Sequence, residues 1–140
     1  MAKKEKPKSF LTLGKRKNAV ARAKIKAGKG KIKIDGIPLE FWGSEFLRMR
    51  IQEPLVIAGD VVAKADIDVT ASGGGKTGQA EAIRMAIAKA LTSFFKEEKL
   101  RQKFMQYDRN LLVFDPRRNE PHKPGASKRG PRRHKQRSKR

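Results

Sequence analysis

The architecture of this chain can be read outward from residues 61–80, VVAKADIDVTASGGGKTGQA. In the first half Ile67 and Val69 are flanked by Asp66 and Asp68. That period of two puts apolar side chains on one face of a strand and charged ones on the other. The pattern predicts a long strand over Val61 to Ala71. The run Ser72-Gly73-Gly74-Gly75-Lys76-Thr77-Gly78 ends it, and Thr77 or Gly78 begins the clearest helix. There Ala80, Ile83, Ile87, Ala90, Leu91 and Phe94 form one apolar stripe, with Arg84, Lys89 and Lys96 elsewhere on the helix surface. Strand, glycine loop and amphipathic helix in that order indicate a mixed α/β fold with a helix covering a sheet.

The flanking segments extend this pattern. From Phe10 to Ile25, Ala19, Ala21, Ala23 and Ile25 interleave with Val20, Arg22 and Lys24, which predicts a half-buried strand with a basic face. Ala27 to Gly30 turns, and Lys31 to Gly36 alternates and stops at Asp-Gly, a second strand expected to pair with the first as a hairpin. Beyond Pro38, residues Leu39, Trp42, Phe46, Leu47 and Ile51 recur near helical spacing. They predict two short helical pieces ending before Pro54, with Trp42 and Phe46 in the core. A shorter helix is expected over Glu97 to Gln106, burying Leu100 and Phe104, and a last short strand over Leu111 to Phe114. No internal repeat is visible.

The 140 residues carry 35 Lys+Arg against 14 Asp+Glu, a net charge of +21. That excess is unevenly placed. Residues 1–17 hold +6, residues 18–116 only +5, and residues 117–140 hold +10, from eleven Lys/Arg and Glu120. The division suggests a basic extension over 1–9, one folded body over 10–116 and an extended basic tail over 117–140. The tail has no aliphatic side chain larger than Ala126 and is broken by Pro121, Pro124, Pro131, Gly125 and Gly130. It cannot offset its own ordering entropy by burial, so it is expected to order against a polyanion. The arms lack the apolar face of an interfacial helix, so nucleic acid is favoured over a membrane. There is no cysteine, which excludes disulfides and thiolate metal sites. The basic N-terminus lacks the apolar segment of a secretory signal, and no apolar run suits a membrane span, so an intracellular protein is expected.

Catalytic chemistry finds no support in the residues. The glycine loop lies where a nucleotide-phosphate loop would, but the P-loop pattern needs glycine at the position of Thr70. Its glycines could let backbone N–H groups and a helix N-terminus approach an RNA phosphate, which would involve Gly74 and Lys76. A permissive turn explains them equally well. His122 and His134 both lie in the tail, outside any folded triad. Asp66 and Asp68 share a strand face without a third ligand, so a metal site is not expected. Lys15, Arg16 and Lys17, beside Gly14 and Asn18 and leading to Arg22 and Lys24, favour phosphate contact.

Taken together, GKRKNAVAR (Gly14 to Arg22), GKIKIDG (Gly30 to Gly36), SGGGKTGQA (Ser72 to Ala80), Asp115-Pro116-Arg117 and the terminal Ser138-Lys139-Arg140 resemble the universal small-subunit ribosomal protein nine family. The segment Tyr107-Asp108-Arg109 looks like its archaeal or eukaryotic-type form. Pro121-His122 departs from the two basic residues of many relatives. The resemblance covers nearly the whole chain after residue 10. It implies a small α/β (α+β) domain with a roughly four-stranded mixed sheet, helices on one face and a left-handed βαβ crossover. It also implies a structural part of the small subunit in the cytoplasmic ribosome, bound to ribosomal RNA and neighbouring proteins in the subunit head, with no cofactor, metal or small-molecule substrate.

Carried onto this chain, Arg16, Lys17, Arg22 and the tail cations Arg117, Arg118, Lys123, Lys128, Arg129, Arg132 and Arg133 would contact ribosomal RNA. Lys15, Lys24, Gly74 and Lys76 join them from the basic strand and the glycine loop. Arg137, Ser138, Lys139 and Arg140 would lie near the anticodon stem-loop of peptidyl-site tRNA. Two other classes compete: an RNA-processing subunit such as the protein part of a ribonuclease P, and a general nucleic-acid-compacting protein. The ordered motifs at Gly14 and Ser72 argue against both.

Overall fold

The structure of the chain, a computed structural model, describes residues 8–120. Phe10–Arg16 forms β1 and Ala19–Ala27 forms β2. The single strand expected from Phe10 to Ile25 is therefore a hairpin, with Phe10 paired to Ile25 and Arg16 to Ala19. Its two-residue turn, Lys17-Asn18, holds Lys17 at φ 51. Glycine usually supplies that left-handed conformation, so no glycine signal marked the turn.

β3 (Ile32–Ile34) and β4 (Ile37–Pro38) form the Asp-Gly hairpin. Asp35 at φ 51 and Gly36 at φ 80 both take the left-handed backbone that such a turn demands. The partner of β3 in that hairpin is thus β4, and not the first strand as expected. On its other side β3 runs parallel to β5 (Ala65–Ser72), pairing Ile32 with Ile67 and Ile34 with Val69. β2 lies antiparallel against the far side of β5, giving a mixed sheet of order β1-β2-β5-β3-β4. The two-residue β4 makes this five strands where about four were expected.

The parallel pair β3 and β5 is joined through a 3-10 turn, Leu39–Phe41, and helix α1, Glu45–Ala58. This helix runs through Pro54, against the expectation that helical structure would stop before it. An internal proline costs roughly 3 kcal/mol. Here Leu47, Ile51, Pro54 and Ala58 form one buried stripe whose packing offsets it. Trp42 is in the core as expected, whereas Phe46 is 66% exposed. It lies one residue off that stripe, on the outer side of the helix.

Gly59–Lys64 is a 3-10 segment, so the strand expected from Val61 begins only at Ala65. Ala65 pairs with Ala27, the last residue of β2, and Val61 has no neighbouring strand to pair with. Leu111 to Phe114 is not a strand either. Arg109–Leu111 forms a 3-10 turn, with the Asp108 carboxylate accepting the Asn110 N–H at 2.9 Å, and Leu111 is fully buried.

One face of the sheet carries the core. Ala19, Ala21, Ala23 and Ile25 of β2 and Ala65, Ile67 and Val69 of β5 are all buried. They pack beneath α2, Lys76–Phe95, whose residues 82–88 are buried all round. α3, Glu98–Tyr107, adds Leu100 and Phe104. The small alanines on β2 and Gly14 on β1 let the α2 backbone come close. A β-carbon on Gly14 would lie 2.7 Å from the Ala86 backbone nitrogen, a separation that packing does not allow.

Candidate nucleic-acid interface

Three of the segments singled out in the sequence meet at one corner. The Lys17-Asn18 turn lies against the glycine loop. A β-carbon on Gly73 would sit 2.6 Å from the Asn18 carbonyl oxygen, and one on Gly74 3.0 Å from the Ala19 nitrogen. Both glycines also have positive φ, 74 and 62, so contact and conformation each demand glycine. The Gln79 amide donates to the Gly73 carbonyl at 3.1 Å, closing the loop onto the first turn of α2. Gly75 at the N-cap provides no capping side chain, and Lys76 at the first helical position is exposed.

The root of the basic tail is fastened to the same corner. Asp115 forms an ion pair with Arg16 and a second with Arg117 at 2.7 Å, and it also accepts the Arg117 backbone N–H at 3.0 Å. Arg118 donates to the Asp115 carbonyl at 2.9 Å. One carboxylate thus serves two guanidiniums, and the cluster stays cationic. Lys89 on α2 lies 3.3 Å from the centre of the Phe114 ring, a cation–π contact that fixes the residue before Asp115. Burial pushes the Lys89 ammonium below its ordinary pKa.

Beside the corner, a cleft of about 430 Å³ runs from Arg16, Lys17 and Thr77 to a second ionic cluster. Its centre is Arg84, which the sequence placed on the helix surface but which is only 4% exposed. Arg84 meets Glu53 of α1 at 2.5 Å, Asp108 at 3.1 Å and Glu81 at 3.6 Å, while Arg50 reaches Glu81 at 3.4 Å. Burial opposes the Arg84 charge. The Asp108 hydrogen bond and the charges of Glu53 and Glu81 outweigh it and raise its pKa above the usual value. The available signal was an arginine flanked by Ile83, Met85 and Ile87 in a helix apolar on every side, a place where charge is kept only with partners.

Not every expected contact residue joins the corner. Arg22 and Lys24 lie along the uncovered face of the sheet, opposite Thr70 and Asp68, and Lys15 lies opposite Val20. On the same face Asp66 accepts the backbone N–H groups of Lys29 and Lys31, each at 2.9 Å. These bonds lower its pKa, and they give the carboxylate the role of tying the β2–β3 turn. Lys123, Lys128, Arg129, Arg132, Arg133, Arg137, Ser138, Lys139 and Arg140 lie outside the described residues, as do His122 and His134.

Cations around a turn, a glycine loop packed against that turn and an ion-paired tail root suit a structural protein that meets a polyanion. Comparison with known proteins makes the class specific. A family model described as "Ribosomal protein S9/S16" matches residues 14–140. The chain is 48% identical over 121 residues to the small ribosomal subunit protein uS9 of Pyrobaculum aerophilum, covering 86% of this chain and 85% of that protein. It is 45% identical over 127 residues to the uS9 of Methanococcus maripaludis (strain C7), covering 91% of this chain and 95% of that protein. The chain belongs to the ribosomal protein S9/S16 family. It is a structural constituent of the small ribosomal subunit, part of the cytoplasmic ribosome and not an enzyme. Among the described residues, no helix is long and apolar enough to cross a membrane.

Proposed function

We propose that the corner formed by the Lys17-Asn18 turn, the Gly73-Gly74 loop and the Asp115 tail root is a principal ribosomal RNA contact. In this reading a folded body over 10–116 positions basic arms over 1–9 and 117–140. The single observation that carries it is the convergence on one corner of motifs from three distant parts of the chain, held by the ion pair of Arg16 with Asp115. Arg16, Lys17, Lys76, Arg117 and Arg118 displace counterions from RNA phosphates there. Gly74 lets the backbone approach. Lys15, Arg22 and Lys24 extend the contact along the open sheet face, and Lys123, Lys128, Arg129, Arg132 and Arg133 continue it along the tail.

The second element of the reading is a tail that reaches peptidyl-site tRNA through Arg137, Ser138, Lys139 and Arg140. It is supported by the +10 charge of residues 117–140 and by a family match that extends to residue 140. Small subunits assembled with chain lacking Ser138, Lys139 and Arg140 should sediment normally and hold peptidyl-site tRNA more weakly. Equal tRNA affinity with and without those residues overturns the tail assignment. For the corner, Arg16→Ala with Lys17→Ala should flatten the salt dependence of RNA binding by about 0.7–0.9 in log K against log salt per lost contact. An unchanged slope removes both residues from the interface.

A further inference from the structure

At the sheet edge opposite β1 the surface changes character. Between Ile34 and Leu47 the sequence IDGIPLEFWGSEFL contains Asp35, Glu40 and Glu45 and neither Lys nor Arg, in a chain with 35 Lys+Arg. Large apolar side chains stand exposed in and just beyond this segment: Ile37 by 45%, Phe41 by 73%, Phe46 by 66%, Met49 by 56% and Val56 by 78%. Their exposure follows from the fold. Leu39 and Trp42 turn into the core on either side of Phe41, and the inner stripe of α1 leaves Phe46, Met49 and Val56 on its outer side. Among the described residues, the Glu40 and Glu45 carboxylates make no ion pair or hydrogen bond.

We infer that this surface docks a neighbouring protein of the small subunit, through a segment that combines apolar side chains with Lys or Arg. The inference rests on the ribosomal reading above and adds a place and a chemistry to it. Two phenylalanines exposed by 73% and 66% five residues apart, with Met49 one turn further along α1, are the kind of apolar side chains that contact surfaces use. The local charge selects the occupant. An RNA backbone would meet Asp35, which accepts the Ala71 N–H, and the partnerless Glu40 and Glu45, with Arg48, whose guanidinium donates to the Gly43 carbonyl at 3.4 Å, as the one cation reaching into the segment. A second copy of this chain would set the same carboxylates against each other across a two-fold interface, which like-charge repulsion disfavours. The chain's own tail has the cations but no aliphatic side chain larger than Ala126 to cover the two phenylalanines. A foreign segment bearing both kinds of side chain satisfies the apolar patch and the unpaired acids together.

Replacing Phe46 by the photoreactive p-benzoylphenylalanine, in full-length protein incorporated into gradient-purified small subunits, tests this directly. Irradiation should join position 46 to another subunit protein, at a peptide with Lys or Arg close to the joined residue. A cross-link to RNA or to this chain, or no cross-link in labelled subunits, overturns the inference. Labelled protein that stays at the top of the gradient overturns instead the ribosomal reading on which it rests. As a second variant, Glu40→Lys with Glu45→Lys should lower retention of the cross-linked protein at least tenfold in a salt wash that unaltered subunits withstand. Unchanged retention overturns the charge selection.

Discussion

Arg84 on α2 and Asp108 beyond α3 meet at 3.1 Å, joining the central helix to the segment from which the tail departs. The same guanidinium holds Glu53 of α1, so one buried side chain fastens three elements. Removing one partner of a buried ion cluster is costly because the remaining charges stay partly desolvated. Arg84→Ala should destabilise the protein by about 2–4 kcal/mol, measured as a lowered urea midpoint. Arg84→Lys should recover only part of this, because an ammonium cannot serve three carboxylates with the planar geometry of a guanidinium. A midpoint for Arg84→Ala within experimental error of wild type would refute the clamp.

Three glycine-to-alanine substitutions should give three different results. Gly14→Ala drives a methyl group into the α2 backbone at Ala82 and Ala86, an overpacking that costs about 1–3 kcal/mol or more. Gly36→Ala meets no atom within 4 Å but keeps φ 80, so only backbone strain of about 1–2 kcal/mol applies. Gly75→Ala has neither problem and loses only the preference of an N-cap for glycine over alanine, about 0.5–1 kcal/mol. Thermal unfolding of the three variants checks the order, and equal losses at Gly14 and Gly75 would contradict the close approach of β1 to α2.

Asp66 gives a pH signature with a definite sign. Its folded pKa is lowered below 3.8 by the N–H groups of Lys31 and Lys29. Its stabilising contribution is therefore complete well above 3.8 and is lost as the pH falls through the lowered folded value. Wild type should be more stable than Asp66→Asn at pH 6, and the gap should close on acidification below 3.8. A gap that does not vary with pH would show that the carboxylate charge does not tie the β2–β3 turn.

Asp115 restrains two guanidiniums, so its neutralisation should be felt in RNA binding. Asp115→Asn removes one negative charge and releases Arg16 and Arg117. The salt dependence of binding to unrelated single-stranded RNA should steepen by about 0.7 in log K against log salt. Incorporation into small subunits should fall at the same time, because the tail root is no longer held. Unaltered behaviour in both assays would show that the pairing does not organise the corner.

Much of the fold was legible because its signals are local. The alternation of Ala19 to Ile25 and the Leu100–Phe104 pair each reflect contacts that one element makes with a single apolar layer, and the glycine loop shows itself by its residue type alone. The α2 stripe marked the helix but not that it is buried on every side. Pairing was not legible in the same way. β3 joins β5 in parallel across α1, and an alternating pattern states which face is buried without stating which strand lies alongside. The split at Lys17 was hidden because a lysine took the backbone of a glycine. Pro54 misled because tertiary burial overrode propensity. At the proposed contact corner, Arg16, Lys17 and the glycines were visible in sequence. Their shared corner and the burial of Arg84 depend on acids from Glu53, Asp108 and Asp115, which only the folded chain brings together.

The anchoring of Asp115 to Arg16 has a consequence for assembly. Residues 121–140 are covalently attached within a few residues of the corner. In the proposed contact, with the corner on RNA, any further site along that RNA would meet the tail as an intramolecular ligand. Its effective concentration is set by the length of intervening chain, on the order of millimolar for a short connection. Each half of the contact can then be individually weak and reversible, so that a misplaced tail dissociates and tries again while the body keeps its place.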